Sequence, residues 1–207
     1  MGHIEFKVLE KSSNIEDLLL YIENGMIDFP SSEEFNVLLQ EKKNENQHSA
    51  AFCLFMTNKS FSKYYFMREN AQKGSSTIDI GVYLGSNLIF TIEAKLFPTP
   101  KGTKTKPRNK HEYVYGHGAG IQRFKDEKHG VDNSNYLLPE NGLIGYVKEK
   151  DFDYWYSQVN QWVVDATWSE SEKLEKIYFD KIGRLKSLHT RISNANVLLH
   201  HFWVKVN

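Results

Sequence analysis

The sequence predicts an α/β (or α+β) domain with one central mixed β-sheet flanked by helices. Three observations carry this. Several segments place apolar residues at three- and four-residue spacing, the helical period. Two short apolar runs, Ile78 to Leu84 and Leu88 to Phe97, flank Gly85-Ser86-Asn87 and read as a β-hairpin. The segments then follow in the order helices, strands, helix, strand, helix, strands, which suits a layered sandwich of the two structures.

Taken in order, Ile4 to Leu9 reads as a short strand. Asn14 to Glu23 reads as a helix, with Asn in a capping position, Ile15, Leu18, Leu19 and Ile22 on one face, and Gly25 as a stop. Pro30-Ser31-Ser32-Glu33-Glu34 opens a second helix carrying Phe35, Leu38 and Leu39. Asn44 to Asn46 breaks it or marks a new start, and Gln47 to Met56 continues as helix. Phe61 to Arg68, with Tyr64, Tyr65 and Phe66, has a strand composition. The hairpin follows, then a loop over 98–110 with Pro98, Pro100 and Pro107. Ile121 to Phe124 reads as helix and Leu143 to Val147 as a buried strand. Phe152, Trp155, Tyr156, Val159, Trp162 and Val163 form the apolar face of an amphipathic helix, expected to be core and not a base-stacking platform. Lys176 to Phe179, Arg184 to Ile192 and Val197 to Val206 read as strands.

The chain has 207 residues, 40% apolar and 14% aromatic, enough for one domain with a real core. The expected layout is a single domain over 1–207, with its core at about 45–160 and a C-terminal β extension at about 173–207. Cys53 has no cysteine to pair with and sits in an apolar run, so it is expected to be a small buried residue. Neither a signal peptide nor an apolar run long enough to cross a bilayer is visible, and the expected setting is cytoplasmic, without a membrane.

The chemistry concentrates in the hairpin. If its turn centres on Ser86, Leu84 faces Leu88 and Asp79 faces Glu93. Strand side chains alternate, so Lys95 lies on the same face as Glu93. Two carboxylates would sit about 5 Å apart across the strands with an ammonium beside them. Inside an apolar hairpin that group is costly unless a cation uses it, and Mg²⁺ (or Mn²⁺), held by few carboxylates plus water, suits it. A sheet-surface acid–lysine pairing of little energetic worth is the alternative.

Net charge is zero, so the chain is not a wholly basic nucleic-acid binder. Its distribution is uneven. From Lys95 to Lys128 nine basic residues (Lys95, Lys101, Lys104, Lys106, Arg108, Lys110, Arg123, Lys125 and Lys128) outnumber three acidic ones (Glu112, Asp126 and Glu127). A polyanion lying near Glu93 would meet that excess. A solvated, lysine-rich loop is the competing explanation.

Asp79, followed by Glu93-Ala94-Lys95 on the next strand after a helix and a strand, resembles the PD-(D/E)XK nuclease superfamily, the restriction-endonuclease-like fold. The resemblance covers roughly residues 45–156, and the position preceding Asp79 is Ile78 where many members have Pro. It implies a restriction-endonuclease-like core with extra N-terminal helices and C-terminal strands. It implies Mg²⁺-dependent hydrolysis of nucleic-acid phosphodiesters, with DNA as the first-choice substrate and restriction or anti-phage defence as a setting. By this resemblance Asp79 and Glu93 are metal ligands and Lys95 orients the attacking water. A further acid, Glu45 first and then Glu34 or Glu69, joins the site, and Gln122 stands near the metal. Lys101, Lys104, Lys106, Arg108, Lys110, His117 and Arg123 would contact nucleic acid. A homodimer would suit double-strand cutting, with the C-terminal strands offering an edge. A catalytically silent nucleic-acid-binding or assembly module on the same fold is the second expectation.

Overall fold

The computed structural model describes residues 2–40, 44–61, 63–104, 108–116 and 118–206, the first twelve of them by backbone only. A seven-stranded mixed sheet, ordered β1-β2-β3-β4-β7-β6-β5, runs through the molecule. Its strands are β1 (Tyr65–Ala71), β2 (Thr77–Leu84), β3 (Asn87–Phe97), β4 (Glu140–Val147), β5 (Glu175–Phe179), β6 (Ile182–Thr190) and β7 (Asn196–Lys205). The helices are α1 (Gly2–Asp28), α2 (Glu33–Leu38), α3 (Glu45–Lys59), α4 (Gly120–Lys125) and α5 (Phe152–Asp165). β1, β2 and β3 form an antiparallel meander, β3, β4 and β7 are parallel, and β6 and β5 close the far side antiparallel. The three C-terminal strands thus complete the same sheet. β5, not β6 or β7, is their edge.

Both faces of the sheet are covered. On one, Leu18, Ile22, Met26 and Phe29 with Phe52 and Met56 of α3 pack on Phe66, Ile80, Phe90, Ile92 and Phe202. On the other, Trp155, Val159, Trp162 and Val163 of α5 and Ile121 and Phe124 of α4 pack on Leu143, Leu185, Leu199 and Trp203. Burial on both sides explains why Leu143 to Val147 carries no apolar–polar alternation. Trp155 and Trp162 are core residues, as their spacing predicts, and Cys53 is buried. Among the described residues no helix is long and apolar enough to cross a membrane.

Three sequence expectations need correction. Asn14 and Gly25 do not bound a helix, because α1 runs through both to Asp28. Residues 4–9 belong to α1 and are not a strand; a short apolar run does not distinguish strand from helix, and here it continues the helical segment that follows. The hairpin turn is two residues, Gly85-Ser86, because Leu84 pairs with Asn87. A β-bulge between Val82 and Tyr83 absorbs the odd residue, so Ile80 pairs with Ile92. That register, extended by one position, sets Asp79 opposite Glu93.

A buried polar chain ties the site-bearing segment before α4 to the sheet. Trp203 Nε1 donates to Tyr113 Oη at 2.9 Å, and Tyr113 Oη lies 2.8 Å from His201 Nδ1. Ser187 Oγ lies 2.7 Å from both His201 Nε2 and His189 Nε2. His189 Nδ1 faces Glu172 Oε1 at 3.3 Å, and Lys125 pairs with the same oxygen. His200, pointing to the other face, bonds Glu140 and Arg184 instead, and Arg184 reaches Glu23 of α1.

Candidate functional site

Asp79 and Glu93 come together because β2 and β3 pair antiparallel in the bulge-corrected register. Lys95 follows two residues along β3, on the same side as Glu93. A third element arrives from α3. Asn44 caps that helix with a reciprocal capping box to Gln47, its side chain accepting from Gln47 N at 3.0 Å. This fixes Glu45 at the first helical position. Its Oε2 accepts from Leu96 N at 3.1 Å, stapling the helix start to β3. The segment over 108–120 closes the site. There Gly120 must be small, because a Cβ would come within 2.9 Å of both Tyr113 O and Leu143 Cδ2.

These elements enclose an open cavity of about 710 Å³ lined by Glu45, Asp79, Glu93, Lys95, Arg108 and Arg123, with Lys101 and Thr103 on its rim. Inside it the charges alternate. Glu93 Oε1 is 2.7 Å from Lys95 Nζ and 3.5 Å from an Arg123 guanidinium nitrogen. Lys95 Nζ is 3.8 Å from Glu45 Oε1, Glu45 Oε2 is 3.3 Å from Arg108, and Arg108 Nε donates to Glu112 Oε2 at 2.8 Å. Asp79 Oδ2 accepts from Ala94 N at 2.8 Å.

The titration behaviour follows from this layout. Burial, then the negative charge of Glu93, pushes the Asp79 carboxyl up to about 7, against the opposing pull of Lys95. Burial also acts against ionised Glu93, but Lys95 and His129 outweigh it and hold that carboxyl at about 2. Lys95 is buried too, which favours its neutral form, yet Glu93, Glu45 and Asp79 together raise its pKa. The ammonium is therefore charged at neutral pH and is not a general base.

Of the acids expected in addition to the pair, Glu45 is in the site. Glu34 accepts from Asn58 on the exposed surface, and Glu69 turns outward to Arg68. Gln122 spends its amide oxygen elsewhere: Oε1 accepts from Gly116 N at 2.9 Å, where it braces the glycine loop. It lines the adjoining smaller cavity and not the one that holds the carboxylates. Arg108 and Arg123 reach the cavity, Lys101 lines it, and Lys104 and Lys110 are exposed and are not part of its lining. Lys106 and His117 lie outside the described residues. Lys125 leaves the basic stretch altogether, pairing with Glu172 over the Trp168 ring.

Two contributors escape the sequence reading. Glu112 is buried and anchors Arg108 while also accepting from Asn109 N at 3.0 Å. His129 is fully buried with Nδ1 3.3 Å from Glu93 Oε2. It is held there by the chain on either side: its own N–H donates to Arg123 O, and Gln72 Oε1 accepts from Gly130 N and Val131 N. Both imidazole nitrogens and Glu93 Oε2 are buried without hydrogen-bond partners. The histidine follows α4 at no recognisable spacing, so only the fold brings it to Glu93.

No family model matches this chain, and no significant match was found among curated proteins or solved structures. Among the described residues, no group of three or more His, Cys, Asp or Glu side chains is arranged to hold a metal ion. The smaller set is compatible with Mg²⁺, which is commonly bound through one or two carboxylates and otherwise by water. Two features fit a hard cation: a buried Glu93 oxygen that accepts no hydrogen bond, with only His129 beside it, and a neighbouring Asp79 carboxyl that the Glu93 charge disfavours ionising.

Proposed function

We propose that this protein is a metal-dependent nuclease that hydrolyses phosphodiester bonds of nucleic acid, with DNA as the first-choice substrate, using a site of the PD-(D/E)XK type. The single observation behind this reading is the Asp79–Glu93–Lys95 group on adjacent strands, open to a cavity that Glu45, Arg108 and Arg123 complete. A cluster that raises the Asp79 pKa through burial and like charge is unfavourable on its own, and functional sites are where such cost is tolerated.

In this reading Asp79 and Glu93 hold the divalent ion, Mg²⁺ or Mn²⁺. Bound there, the ion supplies polarisation of the phosphoryl oxygen and acidification of a coordinated water. The chain's own groups do the rest. Lys95, charged and fixed by Glu93 and Glu45, offsets the negative charge that grows on the phosphoryl oxygens. Arg108, oriented by Glu45 and Glu112, and Arg123 present forked donors to phosphate. Ala94 N keeps Asp79 aimed by bonding one of its oxygens.

One observation favours a second reading. Glu93, Lys95, Glu45, Arg108 and Glu112 neutralise one another in sequence, as a purely structural ion network would. A catalytically silent nucleic-acid-binding module then retains salt-sensitive binding and yields no product at any metal concentration. Cleavage of plasmid and oligonucleotide DNA in Mg²⁺ or Mn²⁺, beside a binding titration, separates the two. Under the nuclease reading Asp79→Ala, Glu93→Ala and Lys95→Ala each lower cleavage by at least about 10²-fold with circular dichroism unchanged. Wild-type-like cleavage by Glu93→Ala would reject the assignment.

A further inference from the structure

Resting on the nuclease reading, we infer that the site continues into a second, separate subsite that takes the nucleic-acid backbone beside the scissile phosphodiester. The substrate is then a polynucleotide extending past the cut, not a small diester or a mononucleotide. A cavity of about 320 Å³ lies next to the carboxylate cavity and shares two lining residues with it, Gly118 and Arg123. Ser76, Gly116, Gln122, Asp126 and Lys128 complete its wall. Its size is at the lower end of the about 300–1,000 Å³ of small-ligand pockets, room for one nucleotide.

The two shared residues make the boundary passable to a phosphate. Gly118 has φ +79° and open space where a Cβ would stand, so the chain there is bare backbone. Arg123 touches Glu93 at 3.5 Å, yet its guanidinium makes no hydrogen bond among the described residues. Apart from the nitrogen that faces Glu93, its donors are not engaged by the described residues at the point where one cavity meets the other, and a guanidinium fork matches phosphate. Beyond it Lys128, well exposed and 3.1 Å from Asp126, adds a second cation. Gln122, also in this wall, is occupied with Gly116 N and keeps the loop in place. A backbone phosphate next to the scissile one would therefore pass from Arg123 toward Lys128, with its nucleoside between Ser76 and Gly118.

Fluorescence anisotropy of a fluorescein-labelled single-stranded DNA of about a dozen nucleotides, titrated in EDTA across a salt series, tests the subsite without requiring turnover. Lys128→Ala is expected to weaken binding several-fold and to reduce the slope of log affinity against log salt by about one. Ser76→Trp, which fills the cavity, is expected to weaken binding with the slope retained. Wild-type affinity and slope in both variants, or no DNA binding by the wild type, overturns the subsite. Hydrolysis of bis(p-nitrophenyl) phosphate in Mg²⁺ or Mn²⁺ reports on the larger cavity alone. Its absence together with absent DNA cleavage sinks the nuclease reading and, with it, a subsite defined by the cut; variant-sensitive DNA binding then marks only a backbone-binding surface. Its presence with variant-insensitive binding leaves the nuclease reading standing and removes the subsite.

Discussion

Replacing Ser187 by alanine should be among the most damaging small substitutions in this protein, although it removes a single oxygen far from the carboxylate cavity. The indole of Trp203 can only donate, so Tyr113 Oη accepts from it and must send its own proton to His201 Nδ1. His201 then carries its proton on Nε2 and donates to Ser187 Oγ, which in turn donates to His189 Nε2. His189 is left with a proton on Nδ1 for Glu172. Every member between the indole and the carboxylate gives once and receives once. Burial lowers the pKa of both histidines, which keeps them neutral as this scheme requires. Ser187→Ala strands a donor on His201 and an acceptor on His189, both fully buried. At about 1–3 kcal/mol for each orphaned group the expected loss is about 2–6 kcal/mol, out of a total that is typically about 5–15 kcal/mol. Urea unfolding followed by circular dichroism should show the midpoint falling with the m-value unchanged. Ser157→Ala, on the exposed side of α5, should stay within about 0.5 kcal/mol of wild type. Nitrogen and carbon shifts of the two imidazoles should report opposite tautomers. A loss below about 1 kcal/mol, or a proton on His201 Nδ1, would refute the directional chain.

Two further outcomes concern pH. In Asp79 the folded carboxyl keeps its proton to about 7 while the unfolded one loses it near 3.8, so raising pH between those values favours unfolding. Asp79→Asn should therefore raise stability at pH 8 without divalent ions, by a few kcal/mol at most, with the gain shrinking to nothing as pH falls toward 4 in thermal melts; an unchanged or lower melting temperature at pH 8 contradicts the cost of burying this carboxylate beside Glu93. For Glu172 the sign is opposite. Burial works to raise its pKa, but His189 and Lys125 prevail and hold it at about 2 in the fold against about 4.5 unfolded, so its contribution is complete above pH 4.5 and fades from there to pH 2. Glu172→Gln should be less stable than wild type at pH 7 and converge with it in acid; parallel curves across that range would show the network carries no such linkage.

Much of the fold was readable because periodicity is a local signal. The period-two hairpin identified Asp79, Glu93 and Lys95, and the three- and four-residue spacing of α5 identified its buried face. The register survived a wrong turn length only because a bulge compensated for it. Features set by long-range contact were invisible. His129 and Glu112 owe their roles to how the segment between β3 and β4 folds back on β3. Lys125 looked like part of a basic surface, yet Trp168 and Glu172, more than forty positions onward, draw it away. Gln122 was expected beside the metal on analogy, and loop geometry gave it a different hydrogen bond.

The bulge at Val82 and Tyr83 separates the hairpin tip from the acidic end of the same two strands. Length changes at the tip can be taken up there, like slack in a cable ahead of a clamp, so Gly85-Ser86 is a natural place to graft a label or a short peptide while the paired carboxylates deeper in the sheet keep their spacing.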